Sequence, residues 1–234
     1  MKTYNAKVFS QEKYLLGESP FYDPRTKTIS WVDIMDKKFF TLGSDGVLKT
    51  FSFNQAIGAA VPTEKEGCYL IAGTDGLYLQ DTKSDTPILL TNLKDYYEAY
   101  QRSNDAKADP AGRLFFGSSV DDNIHEASGN LFCLDPLADG KITCRQPDTK
   151  ISNGMAWSAD RKKFYFSDTL QYTVFSYDYD LETGEISNRK VLFKPEENNG
   201  LTDGMCIDSE DNLWVAFWGG SRIEQRSTKD GSLL

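Results

Sequence analysis

Asn153-Gly-Met-Ala-Trp-Ser158 and Asp203-Gly-Met-Cys-Ile-Asp208 are two copies of one short pattern, and three further stretches repeat it. These are Glu18-Ser-Pro-Phe-Tyr-Asp23, Gly58-Ala-Ala-Val-Pro-Thr63 and Asn104-Asp-Ala-Lys-Ala-Asp109. A polar turn and an apolar or aromatic run follow each copy: Ile29-Ser-Trp31-Val, Tyr69-Leu-Ile71, Leu114-Phe-Phe116, Phe164-Tyr-Phe166 and Leu213-Trp-Val215. The first positions fall at 18, 58, 104, 153 and 203, spaced by 40, 46, 49 and 50 residues. A period of roughly 40–50 residues holding several short strands is the signature of a β-propeller.

The intervening sequence supports that reading. Turn clusters Ser44-Asp-Gly46, Thr74-Asp-Gly76, Pro110-Ala-Gly112, Ala138-Asp-Gly140, Glu182-Thr-Gly184 and Lys229-Asp-Gly231 separate strand-like runs. Asp-Gly is a strong hairpin cue, because glycine accepts positive φ without steric cost. Helical periodicity is nearly absent, the best stretch being Asp95-Tyr-Tyr-Glu-Ala-Tyr100. A recurring Gly-His and Trp-Asp pair is lacking, which disfavours WD40 repeats, and a β-sandwich would not produce so regular a period. The reading is one all-β domain over residues 1–234.

The chain has 26 basic and 35 acidic residues, a net charge of −9. That sign is wrong for a binder of phosphate backbones, so no nucleic-acid partner is expected. No apolar run approaches the length of a membrane span and the N-terminus has no secretory h-region, so no membrane association is expected and the expected location is cytoplasmic. Cys68, Cys133, Cys144 and Cys206 form no C-x-x-C pair and read as buried free thiols in a reducing compartment. Trp31, Trp157, Trp214 and Trp218 read as packing between blades, with Trp218 also a candidate for a pocket border. His125, the single histidine, together with Asp121 and Asp122, reads as part of a surface loop, and no Gly-x-Ser-x-Gly elbow accompanies it.

Four of the five first positions, Glu18, Asn104, Asn153 and Asp203, carry an oxygen able to bind a cation. In a propeller the innermost strand of every blade lines a central channel, so equivalent positions converge however far apart they are in sequence. Two carboxylates and two amide carbonyls suit a hard divalent ion. Ca²⁺ is the first choice, with Mg²⁺, Zn²⁺ or Mn²⁺ as alternatives. The competing interpretation is that these residues are turn formers, since Asn and Asp before Gly commonly are. Gly58 departs from the pattern and would leave room at the channel. Arg102 and Asn104 lie two apart, so on a strand their side chains share one face.

Gly17-Glu-Ser-Pro20, Arg102-Ser-Asn-Asp105 with Asp109-Pro-Ala-Gly-Arg113, Ser152-Asn-Gly-Met155, and Asp203-Gly-Met-Cys-Ile-Asp208 with Leu213-Trp-Val-Ala216 resemble the SMP-30/gluconolactonase/luciferin-regenerating-enzyme-like family, from about Glu18 to Gly220. The resemblance implies a six-bladed propeller holding one divalent metal, with hydrolysis of sugar lactones as a frequent activity. It implies Glu18, Asn153 and Asp203 as metal ligands and Arg102 and Asn104 as substrate contacts. The expected reaction is metal-assisted opening of a small-molecule lactone, with Asp203 as general base. The alternatives are a phosphotriesterase-like propeller hydrolase and a non-enzymatic calcium-binding scaffold. Six blades of roughly 48 residues need roughly 290. The architecture is therefore expected to be truncated here after about five blades, through a shortened chain, a natural short form or closure by another chain. The exposed sheet edges of such an arc would favour a homo-oligomer.

Overall fold

The structure, a computed structural model, describes residues 3–120, 128–136, 138–196 and 198–234. Asp121, Asp122 and His125 lie outside the described residues. The described chain is built from antiparallel strands with a single short 3-10 turn, Thr169–Gln171. No helix among the described residues is long and apolar enough to cross a membrane. Asp95–Tyr100 forms turns and not a helix.

Five sheets succeed one another along the chain. The first comprises β1 (Gly17–Asp23), β2 (Thr28–Asp33), β3 (Lys38–Leu42) and β4 (Leu48–Ser52). The second holds β5 (Ile57–Pro62), β6 (Cys68–Gly73), β7 (Gly76–Asp81) and β8 (Ile88–Asn92). The third holds β9 (Gln101–Ala108), β10 (Leu114–Val120), β11 (Gly129–Asp135) and β12 (Lys141–Thr149). The fourth holds β13 (Ser152–Trp157), β14 (Lys163–Asp168), β15 (Thr173–Tyr179) and β16 (Ile186–Phe193). The fifth holds β17 (Leu201–Ile207), β18 (Asn212–Trp218) and β19 (Arg222–Ser227). Strand order follows sequence order in every sheet. Each is a propeller blade, and the five together are the five-bladed arrangement expected from the repeat.

The chain divides into two compact units. One comprises Lys13–Ala106 and Phe116–Ala127; the other comprises Met1–Glu12, Lys107–Phe115 and Ser128–Leu234. In the first unit, Val32, Phe39, Phe51, Ile57, Tyr69 and Ile71 form a buried cluster. In the second, strand alternation feeds two clusters at once. Met155, Trp157, Phe164 and Phe166 pack on Phe115, Leu131 and Phe175. Ala156, Tyr165 and Val174, their intervening neighbours, pack on Met205, Leu213, Val215 and Phe217. Successive side chains point to opposite faces, and both faces are covered. This is why residues 155–157 of β13 and 164–166 of β14 read as unbroken apolar runs. The Phe115 ring meets Trp157 edge-on at 5.2 Å between centroids, a favoured aromatic geometry.

The last position of the repeated stretch is the turn former. Asp109 Oδ1 accepts the N–H groups of Ala111 and Arg113, both at 2.8 Å. Asp208 Oδ1 does the same for Glu210 and Asn212, both at 2.9 Å. Asp23 caps Arg25 N at 2.9 Å, and Ser158 Oγ caps Lys163 N at 3.0 Å. Arg113 is buried. It pairs with Asp109 at 3.2 Å and Asp135 at 3.0 Å and donates to Leu181 O at 3.0 Å. The Asp109–Arg113 motif is therefore an internal brace.

Asp208 gives the first prediction. Burial pushes its carboxyl up, but N–H groups of Asn212 and Glu210, the Trp214 indole and the Gln225 amide outweigh that and bring it down to about 2. A depressed folded value stabilises the fold above the ordinary 3.8 and loses that contribution as pH falls toward 2. Asp208→Asn should cost about 1 kcal/mol at pH 7 in urea denaturation. The difference from wild type should narrow between pH 4 and pH 2.

All four cysteines are free, as expected, but only Cys68 and Cys133 are buried; Cys144 and Cys206 are exposed. The apolar surroundings of these two in sequence belong to strand neighbours pointing the other way. The tryptophans diverge similarly. Trp157 is core, Trp31 stacks on Phe40 at 5.3 Å, Trp214 donates to Asp208 at 2.9 Å, and Trp218 is 61% exposed.

Candidate functional site

Register explains what singles out the first position of the repeat. In β13, Ser152 pairs with Asp168 and Met155 with Phe166, so three steps on one strand face two on the other. In β17, Thr202 pairs with Phe217 and Met205 with Val215, the same mismatch. The first and second sheets carry it too, between Glu18 and Phe21 and between Ile57 and Ala59. Each is a one-residue β-bulge, a device that re-aims side chains and concentrates beside functional sites. Ladder positions make Gly17, Ile57, Ser152 and Thr202 equivalent. Glu18, Gly58, Asn153 and Asp203 follow them; Gly58, Asn153 and Asp203 open their bulges, whereas Glu18 still pairs with Val32 and stands immediately before its own. For these four copies the sequence alignment of first positions is thus a structural equivalence within strands, and turn capping does not account for it.

In the second unit, Asn153 and Asp203 are brought together. Their strands approach so closely that a Cβ on Gly154 would lie 2.6 Å from Asp203 O and 2.6 Å from Met205 N. Asn153, 8% exposed, donates Nδ2 to Thr169 Oγ1 at 3.1 Å. The Thr169 hydroxyl in turn donates to Thr202 O at 2.9 Å. The Asp203 carboxyl is raised above its ordinary value by burial, opposed by a hydrogen bond from the Asn153 side chain and by the Gly204 N–H. A half-buried acid and a buried amide thus meet at one place. Lys107, near the end of β9, donates Nζ to Met155 O at 3.0 Å and Met205 O at 2.8 Å.

In the first unit, Arg102 and Asn104 do share a face: Arg102 Nη1 donates to Asn104 Oδ1 at 2.9 Å and to Ser103 O at 3.1 Å. Ser103, facing the other way, is buried and donates to Gly73 O at 2.8 Å. A Cβ on Gly58 would lie 2.4 Å from Ser103 O and 2.5 Å from Asn104 O. The departure at Gly58 is therefore a close backbone approach of β5 to β9. Glu18 is half-buried on β1. Ser19 beside it has φ of 52°, and Pro20 supplies no N–H to the ladder. Positive φ at a serine inside a bulge is uncommon and strained.

Two buried aspartates outside this set have a structural task. Asp168 accepts Lys150 N at 2.9 Å and Ile151 N at 3.1 Å. Asp33 accepts Leu15 N at 2.8 Å and Leu16 N at 3.1 Å. Each fixes the chain as it enters a bulged strand. Among the described residues no group of three or more His, Cys, Asp or Glu side chains gathers in a metal-holding arrangement. The expected donor set does not require one, since it mixes two carboxylates with amide oxygens. Sequence reading missed Thr169 and Lys107. Thr169 follows an ordinary strand and has no local signal; Lys107 could have been noticed as a second cation on β9 beside Arg102.

Sheets of antiparallel strands in sequence order, four of them with a bulge in the first strand, define a β-propeller. Residues 16–234 match the family described as SMP-30/Gluconolactonase/LRE-like region, and the chain belongs to that family. Regucalcin of Gallus gallus is 33% identical over 240 residues, an alignment covering 100% of this chain and 79% of the relative. A solved luciferin-regenerating enzyme has 32% identity and a TM-score of 0.88, covering 96% of this chain and 76% of the other. The calcium-binding protein regucalcin of Agrobacterium tumefaciens has 28% identity and a TM-score of 0.87, covering 97% and 75% respectively.

Proposed function

We propose that this protein is a divalent-cation-dependent hydrolase of a sugar lactone. One observation carries the reading: Asn153 and Asp203 occupy equivalent bulges on adjoining strands, and burial raises the Asp203 carboxyl. A buried carboxylate disfavours its own charge unless a cation or donor offsets it. The donors available there are oxygens, which suits Ca²⁺ ahead of a thiolate or imidazole metal. Glu18, at the equivalent bulge of β1, is the third ligand in this reading. Family membership and the calcium-binding relative support the choice of ion.

When bound, the cation would supply Lewis-acid polarisation of an ester carbonyl. Asp203 takes a proton from the attacking water as general base. The water oxygen bonds to the carbonyl carbon, the ring C–O bond breaks, and the leaving oxygen recovers a proton to give an open hydroxy acid. Arg102 and Asn104, locked together by their mutual hydrogen bond, orient ring hydroxyls. The same pair is the reason to prefer an enzyme over a calcium store, which needs neither residue.

The test is a panel of aldonolactones and phosphotriesters assayed after chelation and after restoring Ca²⁺. Lactone hydrolysis should vanish on chelation and return with the ion. Turnover of phosphotriesters alone, or hydrolysis indifferent to chelator, would overturn the assignment.

A further inference from the structure

Lys107 ties the two bulged strands of the candidate cation site to each other through a charged group. Its ammonium donates to Met155 O at 3.0 Å and to Met205 O at 2.8 Å. These carbonyls are not arbitrary. Met155 and Met205 are the residues at which each ladder resumes after its bulge, paired with Phe166 and Val215. Each stands two residues beyond a proposed cation ligand, Asn153 or Asp203. The three elements come from separate blades: β9, β13 and β17.

Close approach alone does not fix the relation of β13 to β17. Gly154 lets the backbones meet, but two bulges, each interrupting its own ladder, leave the strands free to slip past each other locally. An ammonium bridging equivalent carbonyls removes that freedom, because both hydrogen bonds are charge-assisted and converge on one atom. A residue serving packing alone would need no charge at this point. Lys107 is half-buried, so the charge is partly withdrawn from water and its hydrogen bonds are correspondingly strong.

We propose that Lys107 is a positioning residue for the cation site, holding the bulges of β13 and β17 in register so that Asn153 and Asp203 present their oxygens together. The inference rests on the cation-site reading above and goes beyond it by assigning a task to a residue outside the proposed ligands and substrate contacts. Supporting groups of this kind typically change metal affinity by about 10- to 100-fold when removed.

The experiment is calorimetric titration of Ca²⁺ into the full chain and its Lys107→Met, Lys107→Gln and Lys107→Arg variants, with thermal denaturation in chelator as the fold control. Lys107→Met should weaken Ca²⁺ binding by about 10- to 100-fold. Lys107→Arg, which keeps both charge and donors, should recover most of the loss. At saturating Ca²⁺ the Met variant should regain lactone turnover, because the defect lies in holding the ion. A Met variant with wild-type Ca²⁺ affinity and only a lowered melting temperature would overturn the proposal and leave Lys107 as a plain brace. If the Met variant does not fold, Lys107→Gln decides the question by the same titration. Absence of saturable Ca²⁺ binding in the wild type would instead bring down the cation-site reading, and this proposal with it.

Discussion

Asp203→Asn is expected to abolish lactone hydrolysis while making the cation-free protein more heat-stable at neutral pH. The two effects have one cause. Burial raises the Asp203 carboxyl above its ordinary 3.8. A carboxyl whose folded value is raised prefers to be protonated in the fold, so its charge destabilises the native state at pH 7. That penalty disappears as pH drops below the unfolded value. Asparagine keeps the shape and loses the charge, so the variant should melt above wild type at pH 7 in chelator, with the gap closing toward pH 4. Activity goes the other way. An amide cannot accept the proton of water, and loss of a general base costs about 10²- to 10⁴-fold in kcat. Millimolar Ca²⁺ should then reverse the order of melting temperatures, because only the wild type gains fully from a ligand bound by the native state. The measurements are melting curves with chelator and with Ca²⁺ across pH 4–8, and turnover of one aldonolactone. Wild-type turnover in the variant, or equal stabilisation of both proteins by Ca²⁺, would remove Asp203 from the site.

Local departures from regular backbone recur in the first strands of the sheets. Ser19 holds positive φ beside Glu18. The bulges at four sheets each give up regular pairing. Positions that break a local rule repeatedly, and at the same point of the repeat, are where function is to be sought.

The blade repeat was open to reading from the sequence because it rests on local chemistry. Alternating apolar runs and Asp-Gly turns specify strands and hairpins without reference to distant residues, and five copies reinforce one another. The equivalence of Glu18, Asn153 and Asp203 was legible for the same reason. The bulges were not. A bulge is a property of register between two strands, and nothing in Asn153-Gly154 alone distinguishes it from an ordinary turn. The partners of Lys107 were hidden because they are backbone carbonyls, 48 and 98 residues away, whose side chains, Met155 and Met205, give no hint of the contact. Burial of Cys144 and Cys206 was misjudged because one strand can have one covered and one open face. Trp218 followed the same error at a strand end.

Gly154 and Gly204 make a matched pair that sequence cannot tell apart, since each follows a proposed ligand and precedes a methionine. Structure separates them sharply. A Cβ on Gly154 would sit 2.6 Å from Asp203 O, 2.6 Å from Met205 N and 2.9 Å from Gly204 C. All three are backbone atoms, so no rotamer change relieves the clash; β13 and β17 must part. A Cβ on Gly204 meets nothing within 4 Å, and its φ lies outside the left-handed region. Gly154→Ala should therefore destabilise the fold by about 2–3 kcal/mol, the upper range for overpacking a tight interior. It should also move Asn153 away from Asp203, and a displacement near 1 Å at such a site costs roughly 10²-fold in rate. Gly204→Ala should stay within about 0.5 kcal/mol of wild type, as open surface substitutions do. Urea denaturation and Ca²⁺ titration of both variants check this. Loss of Ca²⁺ affinity in the Gly154 variant alone would tie ion binding to contact between the two bulges. Equal behaviour of the two variants would show that the strands can part without consequence, and the shared position of Asn153 and Asp203 would then carry no functional weight.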